Sequence, residues 1–261
     1  MKKFATGDMQ GTVLFIDIKN SLGISGILCP KETCQFIMRV IEPLSDSIQD
    51  HSGYVCQIQG DAIMAVFGLE ESDNDHTHNA INCALDMQKI LATLNPVRIN
   101  NICIPVAARI GICSGDLYAC YIHIAGKKEF TVLGKTVNLA SRYQKINKYY
   151  GTKILIDELV FAYIKNEIVT RKLDKVEIEG CAERVQVYEV LFSRLTCDTE
   201  EALKKVHYEK GLTYYLQGNW DDAIECFSRV AEDKASYLMI KRCKYHKALK
   251  QFSLTDDENH K

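Results

Sequence analysis

The stretch VCQIQGDAIMAVFG, residues 55–68, constrains the fold more than any other part of this chain. Two apolar half-strands flank Gly60-Asp61, and a Gly-Asp pair between β-prone runs is turn chemistry. Aspartate is a poor strand residue, so Asp61 is expected at the bend of a hairpin. A second run, GTVLFIDI at 11–18, is nearly all apolar until it ends in Asp17. It reads as a buried central strand. Together the two runs predict a sheet in which a central strand and a neighbouring hairpin bring aspartates to one end.

The remaining elements are read from periodicity. Phe36, Ile37, Val40, Ile41, Leu44 and Ile48 recur at helical spacing after Pro30, which suits a first helical turn. Pro43 is expected to bend this helix, and Gly53 to end it. Residues 73–94 read as a second amphipathic helix, with Ala80, Ile81, Ala84, Leu85 and Leu91 on one side. Residues 102–115 read as a strand that turns at Gly115, with 117–125 returning as its partner. A short strand at 129–134 precedes a helix at 135–151 stopped by Gly151, and 152–157, 175–180 and 185–191 read as edge strands. The order strand, helix, hairpin, helix, strand is a ferredoxin-like split βαβ pattern. It gives an α+β fold with helices on one sheet face.

Strands vanish after about residue 196. Gly211, Tyr214, Ala223 and Phe227, with Gly218-Asn219 between two helices, fall at the spacing of a tetratricopeptide repeat, which this segment resembles. His207 and Ala235 stand where that pattern usually has Trp and Pro. A single repeat cannot bury its own face, so it is expected to pack on the main domain or on a protein partner. The chain therefore divides into a domain at 1–192 and a helical tail at 197–261.

Composition excludes several classes. At 261 residues and 47% apolar content, the chain can bury one sizeable core plus a small appendage. A net charge of −2 with scattered basic residues argues against nucleic-acid binding driven by counterion release. No run approaches the roughly 20 apolar residues of a membrane segment. The start, MKKFATGDMQGTVLF, turns polar too early for a signal peptide. Eleven cysteines without a C-x-x-C pair, several in apolar runs (Cys103, Cys113, Cys120), suit buried free thiols in a cytoplasmic, reducing setting. His76 and His78 are expected as solvated residues at a helix start.

Two carboxylates at one sheet edge, Asp17 and Asp61, make a hard-cation site. Such sites stabilise attacking and leaving oxygens in phosphoryl displacement. Taken singly, Asp17 could instead cap the segment after it and Asp61 could serve the turn alone. Asn138 and Arg142, at i and i+4 on the predicted helix, share a face. Arg offers a planar cation for a phosphoryl transition state; a solvated helix face is the simpler alternative.

The blocks LFIDI, GYVCQIQGDAIMAVFG and FTVLGKTVNLASR, in this order, resemble the catalytic domain of class III nucleotidyl cyclases over residues 10–192. The resemblance implies that Asp17 and Asp61, with the Ile18 carbonyl, hold two Mg²⁺ or Mn²⁺ ions. It also implies that Arg142 stabilises developing charge and Asn138 orients the ribose. Because such sites form between two catalytic domains, and this chain has one domain carrying both sets, a head-to-tail homodimer is expected. The chain departs from the family pattern in three places, one of them CYIH, with Cys120 and His123, where the family has its usual glycine pattern. Asn20-Ser21-Leu22 replaces the usual Gly-Phe-Thr, and Glu179 replaces a phosphate-binding lysine, with Lys175 a possible substitute. Gln57 stands where adenylate cyclases have Lys and guanylate cyclases have Glu. Its amide can donate or accept. Thr131, the partner position, leans toward ATP. The expected reaction is cyclisation of a nucleoside triphosphate, ATP first, with GTP or a pyrimidine nucleotide as alternatives. A degenerate nucleotide- or partner-binding regulatory domain is the reading from another class.

Overall fold

The computed structural model of the protein describes residues 4–70, 75–178, 181, 183–194 and 199–258. β1 (Gly7–Ile18) is the central strand, with Val13, Leu14, Ile16 and Ile18 buried. It pairs antiparallel with β3 (Ala62–Phe67) on one side and β6 (Ala108–Ile124) on the other. β2 (Tyr54–Gln59) folds back on β3, closing the hairpin that carries Gly60-Asp61. β8 (Ile154–Ile156) runs parallel to β6, and β10 (Val185–Ser193) and β9 (Ile168–Val176) lie beyond it. The order is β2-β3-β1-β6-β8-β10-β9, with β7 (Lys127–Leu133) paired to the far half of β6. A small hairpin of β4 (Val97–Ile99) and β5 (Ile102–Ile104) stands apart. The fold is the expected α+β sheet domain with a helical appendage.

Three local expectations change. The strand does not turn at Gly115; β6 runs straight through it because β1 is long enough to pair on both sides of that glycine, from Ala108 to Ala119, with Gly11 opposite Gly115. β8 and β10 are no edge strands: β8 lies between β6 and β10, and β10 between β8 and β9. The last edge is β9, which starts at Ile168 and stops at Val176; of the predicted 175–180 strand, 177 and 178 are not strand, and 179 and 180 lie outside the described residues. Helices also cover both faces. α2 (Pro30–Asp50), continuous through Pro43, packs with α3 (His76–Leu94) and α5 (Glu158–Ile164) over Leu14, Ile16 and Ile18. α4 (Lys135–Tyr150) packs on the opposite face, over Val13, Cys113 and Leu155. That face is open to a helix at Gly111, where a Cβ would overlap Gln144 N and Ala140 O of α4. The first residues predicted for α3, 73 and 74, lie outside the described residues.

His76 is not solvated. Its Nδ1 lies 2.8 Å from Thr12 Oγ1 in a buried hydroxyl group that also contains Thr77 and Ser114, because α3 begins against the middle of β1. His78 faces Glu167 instead, 3.4 Å away, so the two histidines do not converge. Cys113 is buried and Cys120 half-buried, but Cys103 is exposed. In the β4–β5 hairpin Ile104 points inward, and the period-2 alternation turns Cys103 out. No described helix is long and apolar enough to cross a membrane.

The tail is helical as expected: α6 (Thr199–Leu216), α7 (Trp220–Ser228) and α8 (Lys234–Glu258). α6 and α7 cross closely at Gly211, where an added Cβ would meet the Phe227 ring at 2.9 Å. Phe227 packs edge-on against Tyr208, 5.2 Å between centroids. The tail docks on the α4 side of the sheet domain and shares one core with it, in which Leu173, Val187 and Tyr150 meet Tyr208, Leu212 and Met239. Tyr208 Oη donates to Leu173 O at 2.9 Å, and Glu209 accepts from Lys172 N at 2.8 Å. Trp220 stacks on His246 of α8, so it covers the tail's own interior. A chain ended near residue 196 is therefore expected to expose Leu173, Val187 and Tyr150 and to leave Arg171 and Asp174 with fewer charge partners. Light scattering and thermal melting check this: the shortened chain aggregates more and melts several degrees lower, while Asp17, Asp61, Asn138 and Arg142 remain in place.

Candidate active site

Asp17 is the penultimate residue of β1 and pairs with Ala62, the residue after Asp61. The β2–β3 bend, with Gly60 at φ 62°, turns Asp61 back toward that strand end. The two carboxylates meet there. The Asp17 carboxyl is pushed up to about 6, first by burial and then by the negative charge of Asp61; Gln144 and Arg109 act in the opposite direction. Asp61 Oδ2 is buried without a hydrogen-bond partner. Two acids held together, one with an unsatisfied buried oxygen, form a donor set fit for a hard divalent cation. The side chain of Ile18 is buried in the core, which leaves its carbonyl as the group available to such an ion. Among the described residues no third His, Cys, Asp or Glu joins the pair. Asp17 does not cap the next helix, α1 (Ser21–Ile27); Asn20, at φ 62°, holds that position.

Two residues at this edge were not singled out from sequence. Arg109 on β6 sits opposite Asp17 in the register and draws its pKa down. Lys19 lies just beyond Asp17 and is half-buried. Its ammonium is held below the usual lysine range by burial, and then by the charges of Arg109, Lys153 and Lys234. Both were legible as basic residues beside apolar strands, but only the β1–β6 register puts them next to Asp17.

α4 carries Asn138, exposed, and Arg142, half-buried, one turn apart. The residue of α4 that reaches Asp17 is Gln144, whose Nε2 donates to Asp17 Oδ2 at 3.3 Å. Gln57 is exposed on β2, where a bulge at Cys56 changes the register and pairs Gln57 with Met64. Without the bulge Gln57 would oppose Ile63, on the α2–α3 face of the sheet. With it, Gln57 lies in the row of Met64 and Phe15, two residues along β1 from Asp17. Thr131 on β7 is half-buried opposite Cys120, turned away from the core that takes Phe130 and Val132. Glu179 lies outside the described residues. Lys175 is exposed, and its backbone N–H donates to Asp174 at 2.8 Å.

An antiparallel sheet centre with two aspartates at one end, and a helix carrying Asn and Arg, define a nucleotidyl cyclase fold. Residues 7–192 match the family described as the adenylate and guanylate cyclase catalytic domain, and residues 204–233 match the tetratricopeptide repeat. The chain belongs to the adenylate and guanylate cyclase family. Adenylate cyclase 1 of Rhizobium meliloti (strain 1021) is 28% identical over 191 residues, covering 73% of this chain and 29% of that protein. The adenylate cyclase of Anabaena cylindrica is 31% identical over 193 residues, covering 71% and 38%. The chain thus spans about a third of the length of these relatives. The crystal structure of the adenylyl cyclase CyaB from P. aeruginosa has the same fold, with a TM-score of 0.67 at 24% identity over 74% of this chain and 100% of that one.

Proposed function

We propose that this chain cyclises ATP to the 3′,5′-cyclic monophosphate and releases pyrophosphate. The observation that carries the reading is the meeting of Asp17 and Asp61 at one sheet end, with Asp61 Oδ2 buried and unpartnered. Asp17 and Asp61 would hold two Mg²⁺ or Mn²⁺ ions, which would supply Lewis acidity for the attacking oxygen and offset the charge of the polyphosphate. The 3′-hydroxyl gives up its proton to solvent as its oxygen forms a bond to the α-phosphorus, and the bond from that phosphorus to the oxygen bridging to the β-phosphate breaks, so that pyrophosphate leaves. Arg109 and Lys19 add positive charge beside the acids, which suits a polyanionic leaving group. Arg142 offers a guanidinium to the developing charge and Asn138 an amide to the ribose.

The active unit in this reading is a head-to-tail homodimer, with metals held by one chain and Asn138 and Arg142 supplied by the other. The exposed cross-strand pair Tyr118–Leu133 and exposed Ile58 support a face made to be covered by a second copy. The domain at 1–192 carries the chemistry, and the tail at 197–261 offers surface to a protein partner. The direct test is incubation of the purified chain with each of the four nucleoside triphosphates and Mn²⁺, with cyclic products identified by mass spectrometry. Cyclic AMP as the main product bears the reading out; no cyclic product from any of the four ends it.

Gln57 sets how sharply the base is chosen. Its amide matches adenine or, flipped, guanine, and neither match is charge-assisted, so measurable turnover of GTP is expected. Thr131 tips the preference toward ATP. Gln57→Lys can only donate and should raise the ATP-to-GTP ratio of kcat/KM by about tenfold, ~1.4 kcal/mol. Gln57→Glu should move the ratio the other way. A Lys variant with an unchanged ratio places Gln57 away from the base.

A further inference from the structure

α4 is gripped at its middle and at its C-terminus by unlike partners. Toward its middle, Gln144, nearly buried, donates to Asp17. Asn147, fully buried, ties the next turn to Ile110 O of β6 at 2.9 Å. At its C-terminus the partners come from the tail. Lys234, the first residue of α8, donates from Nζ to Lys148 O at 2.8 Å, satisfying one of the last carbonyls of α4. Its side chain lies so close to Gly151, in the left-handed region at φ 79°, that a Cβ there would meet it at 2.8 Å. Tyr150, the last residue of α4, donates to buried Asp174 Oδ2 at 2.5 Å. Arg242 of α8 pairs with the same carboxylate and reaches Tyr150 Oη at 3.4 Å. Arg171 fastens the start of α8 from below, pairing with Asp233 at 2.8 Å while it also holds Glu189.

We propose that α8 acts through α4 as a positioning element for the metal site: Lys234 and Arg242 fix the C-terminal turn of α4, and Gln144 passes that placement to the Asp17 carboxylate. The proposal rests on the reading of Asp17 as a metal ligand. A donor to a metal-binding carboxylate fixes its orientation, and loss of such a partner commonly weakens metal affinity 10–100-fold. Between Gln144 and Tyr150 there are fewer than two helical turns, seated at Gln144 on Gly111, which leaves no room for a Cβ, and tied at Asn147 to β6. A shift imposed at one end of so short and tightly seated a segment is felt at the other. Undocking of the tail, by a partner that takes its surface, would then loosen the site without touching it.

The test uses the full chain, Mn²⁺ affinity by electron paramagnetic resonance, and hydrogen exchange of the amides at 143–150. Gln144→Leu should weaken Mn²⁺ binding about tenfold. Arg242→Met and Lys234→Met should each speed exchange in α4 and weaken Mn²⁺ binding several-fold. Lys234 is exposed, so its variant folds even if Arg242→Met does not. Arg242→Lys should recover part of the affinity. The double variant Gln144→Leu, Lys234→Met should bind Mn²⁺ no more weakly than Gln144→Leu alone, because the effect passes through Gln144. Unchanged exchange in α4, unchanged affinity in the tail variants, or losses that simply add would overturn the proposal. Wild-type chain that binds no Mn²⁺ would overturn the metal reading with it, whereas wild-type binding untouched by the tail variants overturns this inference alone.

Discussion

Replacing Asp17 or Asp61 with alanine is expected to lower cyclic nucleotide formation at least about a thousandfold, ~4 kcal/mol of transition-state stabilisation, with the fold retained. The acids sit at the solvent end of the sheet and are only half-buried, so neither holds the core together. Their proximity makes a second, opposite effect. Folding raises the Asp17 pKa from 3.8 to about 6, chiefly by burial and then by the Asp61 charge. Between those two values the folded chain holds a proton that the unfolded chain releases, so stability falls as pH rises through that window. Asp17→Asn removes the penalty and keeps an acceptor for Gln144. Because Asp17 is only half-buried, the gain is discounted to about 1 kcal/mol, or ~2–4 °C in Tm. The metal-free variant should thus melt higher than wild type above pH 6 and alike near pH 4. Near-normal turnover in either alanine variant, with normal folding, refutes the assignment. A gain in Tm that persists at pH 4 refutes the electrostatic explanation.

Mixing two inactive chains should restore activity. Asp61→Ala keeps Asn138 and Arg142, and Arg142→Ala keeps both acids. In a head-to-tail dimer the mixed pair has one complete site and one doubly damaged site. Random exchange makes about half of the dimers mixed, so about a quarter of wild-type turnover is expected at equal concentrations. Alone, Asp61→Ala should show at least about a thousandfold less than wild type, and Arg142→Ala about a hundredfold to a thousandfold less. The measurement is cyclic product per total chain after exchange, with exchange itself followed by labelled subunits. Full exchange without recovery would place the whole site within one chain.

The motifs GDAIMAVFG and TVNLASR and the run ending in Asp17 were informative unaided. Apolar continuity fixed β1 as a buried strand, the Gly-Asp bend fixed the β2–β3 hairpin, and Gly151 fixed the end of α4, each because the signal is local to a few residues. The tail's helices came from the same kind of local pattern. Whatever depended on which strand lies beside which emerged only in three dimensions. Gly115 looks like a turn until β1 supplies a partner on both sides of it, from Ala108 to Ala119. His76 looks solvated until Thr12 arrives from 64 residues away. Gln57 takes its row on the sheet from a one-residue bulge, which period-2 reasoning cannot foresee because it changes the period. Arg109 and Gln144 reach Asp17 from 92 and 127 positions along the chain, brought there by sheet register and by a helix seated on a glycine. Local pattern was enough to say which elements form and which residue types can do phosphoryl chemistry. Which charges share a site was set by the packing of those elements, because electrostatic and hydrogen-bonding partners are chosen by distance in space, and local pattern carries no record of that distance.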